Sequence, residues 1–175
     1  LFRSLETEFG DRRVRATPIA EQAIIGAALG SSIAGMNPIA EIMFSDFMGV
    51  CLDQIANHAA KQRYMSGSAT HAPMTIRMQL GGGMGGFGAQ HSQSLEAWLT
   101  HTPGIKVVYA SNPIDAKGLL LSAINDPDPV VVLESMKLFT SLSAGIDGVV
   151  ADIACQPGET VQAGKRLVLI EQPPA

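Results

Sequence analysis

Four apolar runs limit what this chain can fold into. Pro38–Phe44 (with Glu41 inside it), Met74–Met78, Ile105–Tyr109 and Val130–Leu133 read as short strands without regular polar alternation. A strand that is apolar on both faces has to be covered on both, and helices between successive strands supply that cover. The expected class is α/β, a doubly wound parallel sheet.

The segments between the runs fit helices. Thr17-Pro18 followed by Ile19-Ala20-Glu21 reads as a helix start, with Thr17 as candidate N-cap and Pro18 in the first turn. That helix should run to about Ala34 and stop at Gly35, which can take the left-handed capping conformation. Its small residues, Gly26, Ala27, Ala28 and Gly30, let another element approach closely. A second helix is expected from about Phe47 to Met65, with breaks in its periodicity, and shorter ones over Ser94–Thr100 and Pro113–Ile124. The glycine-rich stretch Gly81–Gly88 lacks a Gly-Lys-Ser/Thr ending and opens no long helix, so it does not read as a nucleotide loop.

Composition excludes several classes. A net charge of −4 leaves no electrostatic footprint for nucleic acid. No apolar run reaches the roughly 18–20 residues that span a bilayer, and the first residues do not read as a signal peptide. Cys51 and Cys155 have neither metal-ligand nor disulfide-framework spacing, which points to a reducing, cytoplasmic setting. The chain starts without Met inside an apparent helix, so a fragment is expected.

After about Thr140 the character changes. Turn signals at Gly145–Gly148, Gln156–Glu159 and Ala163–Lys165 separate β-prone stretches at Val149–Ala154, Thr160–Val161 and Arg166–Ile170. The expectation is a small all-β C-terminal appendage rather than another strand–helix repeat.

Several pieces carry a resemblance through their joint order. They are FGDRRV (9–14), TPIAE (17–21), IAEIMFSDF (39–47), DQIANHAAKQRYMSG (53–67), GAQHSQSLEAW (88–98), PGIKVVYASNPIDAKGLL (103–120) and DPVVVLE (128–134). Together they resemble the transketolase-like pyrimidine-binding domain in the beta subunit of thiamine-diphosphate-dependent 2-oxo acid dehydrogenases, of the pyruvate, acetoin and branched-chain types. The resemblance covers residues 9–134, and the expected domain is 1–134, truncated at its N-terminal side.

The resemblance implies roles for three residues. Glu21 takes the position of the carboxylate that faces the aminopyrimidine ring of thiamine diphosphate and favours its imino tautomer. Read alone, it is a helix-start glutamate making a cap. Phe47 matches the aromatic packed on the pyrimidine face, though by itself it would read as a core residue. His91 matches the histidine facing the active-site channel, where it stabilises or shuttles charge. Glu21 and His91 are thus the catalytic candidates, and Glu21 and Phe47 the cofactor-binding ones.

The same resemblance implies partners. In this family the diphosphate and its magnesium ion are held by an alpha subunit, so no metal ligands are expected in this chain. A second beta subunit and a lipoyl-bearing acyltransferase complete the assembly, and the chain alone should be inactive. The implied reaction is oxidative decarboxylation with acyl transfer to lipoamide.

The tail resembles a second family. ESMKL (134–138) and AGIDGVVADIACQPGETVQAGKRLVLIE (144–171) are similar to the C-terminal half of a biotin carboxyl carrier domain, with Lys137 at the biotin position. That resemblance implies biotin as a cofactor, a biotin ligase as partner and an acyl-CoA carboxylase as the setting. Read alone, Lys137 is a surface lysine, and Glu134 to Phe139 also fits the dehydrogenase pattern. The expected appendage is therefore 135–175, half a biotinyl/lipoyl-like domain. Roughly 40 residues bury little core alone, so this part is expected to be disordered or packed opportunistically. The whole reads as parts of two genes joined near residue 134.

Overall fold

A computed structural model describes residues 2–80, 88–135, 149–155 and 168–171. The chain divides into two compact units, Leu1–Phe139 and Thr140–Ala175.

The first unit is built on a four-stranded sheet of β1 (Ile39–Ile42), β2 (Thr75–Leu80), β3 (Lys106–Ala110) and β4 (Val130–Ser135). Its order is β1-β2-β4-β3, and every neighbouring pair is parallel. The expected doubly wound sheet is what the chain forms. Six α-helical segments accompany it: α1 (Phe2–Phe9), α2 (Glu21–Ile33), α3 (Met48–Asp53), α4 (Gln62–Met65), α5 (Glu96–Thr100) and α6 (Pro113–Ile124).

Alternation along the strands sorts the core into two layers. On one face Ala40, Ile42, Ile76, Met78, Leu80, Val131 and Leu133 pack against Ile25, Ala28 and Leu29 of α2, Met48 and Cys51 of α3, and Leu99 of α5. On the other, Val108, Val130 and Val132 pack against Leu120 and Ala123 of α6. Burying a side chain of this size contributes about 1.5–3 kcal/mol, so the first layer carries most of the cohesion.

The second face also holds a charged row. Arg77 donates from Nε and Nη2 to the two carboxylate oxygens of Glu134, at 2.8 and 2.7 Å. Its Nη1 donates to both oxygens of Glu41, each at 2.9 Å. One guanidinium therefore ties three adjacent strands together. Burial pushes the Glu41 carboxyl above its usual range despite the attraction of Arg77. Hydrogen bonds to Glu134 bind the Arg77 proton more firmly than usual.

Two helices depart from the sequence expectation. α2 opens at Glu21, four residues after Thr17, and its N-cap Ala20 offers no side-chain cap. Its other end behaves as expected, since Gly35 takes a φ of +93°. The long helix expected from Phe47 to Met65 is broken into pieces. A 3-10 turn at Ser45–Phe47 leads into α3, a π-helical turn spans Gln54–His58, a second 3-10 turn spans Ala59–Lys61, and α4 follows. Within this stretch Lys61 Nζ donates to the carbonyl of Ala56 at 2.6 Å, satisfying backbone outside the regular ladder. The interrupted periodicity in the sequence is this change of helical register.

In the second unit β5 (Val149–Ile153) and β6 (Val168–Glu171) pair antiparallel, with an irregularity between Val150 and Asp152. The expected antiparallel β character is present. The expected strand at Thr160–Val161 lies outside the described residues.

Gly104 precedes β3 at φ +93°, and a Cβ placed there would overlap the carbonyl oxygen of Ala60. Gly35 has the same φ but open space around it. Gly35→Ala should cost about 1 kcal/mol, the backbone strain alone, whereas Gly104→Ala should cost more than about 2 kcal/mol. Urea unfolding of the two variants separates these values, and equal losses would show that the close approach to Ala60 is not made.

Candidate functional site

In an open parallel sheet the working edge is the carboxyl end of the strands, where the loops gather. β1 ends at Ile42 and runs directly into Phe44 and the 3-10 turn carrying Phe47. β2 ends at Leu80, and its connection returns to order at Gly88 before a 3-10 turn at Ala89–His91. α2 packs on β1 and joins it through a short link, so its amino end, with Glu21, comes to the same edge. Topology alone thus gathers Glu21, Phe47 and His91.

Two of the three are in contact. The His91 imidazole meets the Phe47 ring edge-to-face, with centroids 5.1 Å apart, and meets Phe44 in the same manner at 5.4 Å. Phe44 and Phe47 are themselves edge-to-face at 6.0 Å. Three mutually perpendicular rings of this kind stabilise one another by about 0.5–1.5 kcal/mol per pair. Phe44 was not singled out in the sequence, although its spacing of three from Phe47 was the available signal.

Glu21 lines a groove of about 530 Å³ with Ala20, Gln22, Ala23, Gly26, Val50 and Gln54. Among the described residues its carboxylate has no hydrogen-bond or ion-pair partner, so the capping role it could have played is not the one it takes. The groove is open, and Ala20, Ala23, Gly26 and Ala27 keep the α2 side of it low. A Cβ on Gly26 would come within 3.4 Å of the Gln54 side-chain oxygen. Phe47 immediately precedes α3, whose Val50 faces the same groove.

The negative charge of Glu21 is felt inside the core. Cys51, fully buried one turn into α3, has its thiol pushed up to about 11, first by burial and second by the Glu21 carboxylate. Its Sγ donates to the Met48 carbonyl at 3.5 Å.

The two loops that carry the rings are stitched together. Gln93 donates from its backbone N and its Nε2 to Asp46 Oδ1, at 3.1 and 2.9 Å. The buried Ser45 hydroxyl donates to the Gln93 carbonyl at 3.0 Å. Asp46 and Gln93 carried no signal in the sequence beyond lying one and two residues from Phe47 and His91.

A second hollow, of about 490 Å³, opens at the amino ends of the strands and is lined by Ala60, Arg63, Tyr64, Gly104, Lys106 and Asp128. Its charges pair locally, Arg63 with Asp128 at 2.6 Å and Lys106 with Asp126 at 2.7 Å. None of the candidate residues lies there. Lys137 and most of the glycine-rich stretch, 81–87, lie outside the described residues.

Fold and edge together define an open α/β domain presenting an acid and an aromatic cluster at the carboxyl end of its sheet. The chain belongs to the family described as transketolase, pyrimidine binding domain, whose profile matches residues 2–140. A second profile, described as biotin-requiring enzyme, matches residues 122–170 and overlaps the first. The chain is 49% identical over 150 residues to the beta subunit of acetoin:2,6-dichlorophenolindophenol oxidoreductase of Cupriavidus necator, covering 86% of this chain and 42% of that protein. It is 48% identical over 137 residues to the beta subunit of the pyruvate dehydrogenase E1 component of Bacillus subtilis, covering 78% and 42%. For the corresponding Acholeplasma laidlawii subunit the identity is 40% over 166 residues, covering 95% and 50%. The chain thus spans half or less of the length of these relatives. Among solved structures, a chain described as a split gene transketolase, inactive beta4 tetramer, superposes with a TM-score of 0.61 at 21% identity, over 83% of this chain and 48% of that one. That likeness supports the fold.

Burial and the elevated thiol make Cys51 a poor nucleophile, because only the thiolate reacts. Iodoacetamide at pH 8 should leave Cys51 unmodified in the native chain and alkylate it in urea. Alkylation of native Cys51 at the rate of an exposed thiol, read by peptide mass mapping, would contradict the packing of α3.

Proposed function

We propose that this chain supplies the aminopyrimidine side of a thiamine-diphosphate site in a 2-oxo acid dehydrogenase of the acetoin or pyruvate type. The observation that carries the reading is the convergence at one sheet edge of the Phe47–His91 ring pair and a groove-lining Glu21 carboxylate that has no hydrogen-bond or ion-pair partner among the described residues. Family membership and the beta-subunit relatives support it.

The residues fit such a group. An unpartnered carboxylate beside a groove of small residues can take a flat, nitrogen-bearing ring and hold a proton at one of its nitrogens. Phe47 offers an aromatic surface next to it. When bound, thiamine diphosphate supplies the electron sink for cleavage beside a carbonyl. Around it Glu21 holds the proton that sets the ring's tautomer, Phe47 orients the ring plane, and His91 moves a proton at the channel side. The diphosphate with its magnesium ion is assigned to an alpha subunit, and the acyl product to a lipoyl-bearing acyltransferase. A second beta subunit and a cytoplasmic setting complete the proposal. The working domain is residues 1–134, and 135–175 form a partial biotinyl/lipoyl-like appendage.

Reconstituted with an alpha subunit of this enzyme class, the chain should show thiamine-diphosphate-dependent 2-oxo acid oxidation. Glu21→Gln, which keeps size and removes the charge, should lower kcat by about 10²–10⁴-fold while leaving the thermal unfolding of the chain unchanged. Activity of Glu21→Gln within a few-fold of the parent would overturn the assignment.

A second reading, of the tail alone, is favoured by the biotin-requiring profile over residues 122–170. It makes Lys137 a biotin acceptor presented to an acyl-CoA carboxylase. Intact mass and tryptic mapping after co-expression with biotin ligase decide it. An adduct on Lys137 establishes the carrier reading, and an unmodified Lys137 leaves the dehydrogenase domain as the source of function.

A further inference from the structure

We infer that Asp46 and Gln93 are a positioning pair that sets His91 against Phe47, an inference that rests on the site proposed above. Apart from that pair, few contacts among the described residues hold His91. It sits at the end of a three-residue 3-10 turn whose own backbone bond, His91 N to the Gly88 carbonyl, is 3.3 Å long. Among the described residues its imidazole has ring contacts with Phe44 and Phe47 and no hydrogen bond or ion pair. Edge-to-face contacts set a preferred tilt but leave the ring free to slide. A histidine that moves protons has to be held more closely than that.

The missing constraint lies two residues further on. Gln93 is fixed at three atoms: its backbone N and Nε2 both donate to Asp46 Oδ1, and its carbonyl accepts from the Ser45 hydroxyl. Ser45 and Asp46 belong to the same 3-10 turn as Phe47. The bonds therefore join the turn that carries Phe47 to the turn that carries His91, with one residue between clamp and ring on each side at most.

The pair is also costlier than folding alone requires. Both donors of Gln93 go to one oxygen of Asp46, and among the described residues the other oxygen, Oδ2, is buried without a hydrogen-bond partner. A buried acceptor left unsatisfied opposes stability. Gln93 itself is exposed, so its side-chain bond adds little to the core. An arrangement that gives up stability at a sheet edge and fixes two rings there is organised around the rings.

The test uses the full chain and needs no cofactor. Histidine-ring ¹H–¹³C spectra, with His91 assigned by its loss in His91→Ala, report the aromatic environment of the imidazole through ring-current shifts. Asp46→Ala, which removes both bonds from Gln93, should move the His91 resonances toward those of an unpacked imidazole. Gln93→Ala, which removes only the Nε2 bond, should move them part of the way, and those of His58 and His101 should stay in place. Asp46→Asn keeps the accepting oxygen and should retain the parent His91 resonances. Parent positions of the His58 and His101 resonances show that the Asp46 variants keep the fold, so the His91 result is readable in them. In complexes with an alpha subunit, Asp46→Ala should lower kcat by about tenfold to a hundredfold with KM for the oxo acid unchanged, and Asp46→Asn should restore it. His91 resonances that stay at their parent positions in Asp46→Ala would overturn the proposal. Because the spectra are taken without cofactor, that outcome is distinct from failure of the cofactor reading, which the Glu21→Gln kinetics decide.

Discussion

The fold hangs on a single guanidinium. Arg77 stands in the middle of β2, bonded to Glu134 on one neighbouring strand and to Glu41 on the other. A sheet buried on both faces tolerates charge only when it is paired and hydrogen-bonded in full, and here one planar fork meets two carboxylates. The arrangement fixes register as well as charge. Shifting β1 or β4 by one residue would send its glutamate to the opposite face, among the methionines and isoleucines of the α2 layer. Specificity of strand alignment comes from this row, while cohesion comes from the apolar layer behind it.

The two ends of the sheet are used differently. At the amino ends charged groups pair with one another, as Arg63 does with Asp128 and Lys106 with Asp126. At the carboxyl ends, among the described residues, the Glu21 carboxylate has no hydrogen-bond or ion-pair partner, an imidazole is held by rings, and a buried oxygen of Asp46 is without a hydrogen bond. Buried side-chain atoms without a hydrogen bond occur at both ends among the described residues, Asp46 Oδ2 at the carboxyl side and His71 Nδ1 and Asp128 Oδ1 at the amino side. The carboxyl edge is therefore set apart by its aromatic cluster and the Glu21 groove. Burial first, and the Glu21 carboxylate second, hold the Cys51 thiol above its usual range.

What the sequence disclosed follows physical range. α6 was legible to the residue, because Asn112 accepts from the Asp115 amide and Pro113 occupies the first helical position, all local signals. The strands were legible because their apolar runs are local too. α2 was placed three residues early, since Thr17-Pro18 looks like a helix start while the chain there stays non-helical up to Ala20. The pieces of the Phe47–Met65 stretch could be felt only as broken periodicity. The Arg77 row joins residues 41, 77 and 134, and the Asp46–Gln93 bonds join two distant loops. Neither has a local signature, so only three-dimensional placement reveals them. Glu21, Phe47 and His91 were found through motif resemblance rather than periodicity, which would have filed them as a cap, a core ring and a surface histidine.

The strand order has a kinetic meaning. β3 hydrogen-bonds to β4, and β4 enters the sheet between β3 and β2. Until residues 130–135 are in place, β3 has no strand to join among those described, and β2 is left with one open side. Among the described strands β4 is therefore the keystone: collapse of the earlier elements can begin without it, but the ladder between β2 and β3 closes only when it inserts. Pairings so distant along the chain form slowly and expose unpaired strand edges while they wait. The segment matched by both families is thus the one whose arrival times the folding of the whole domain.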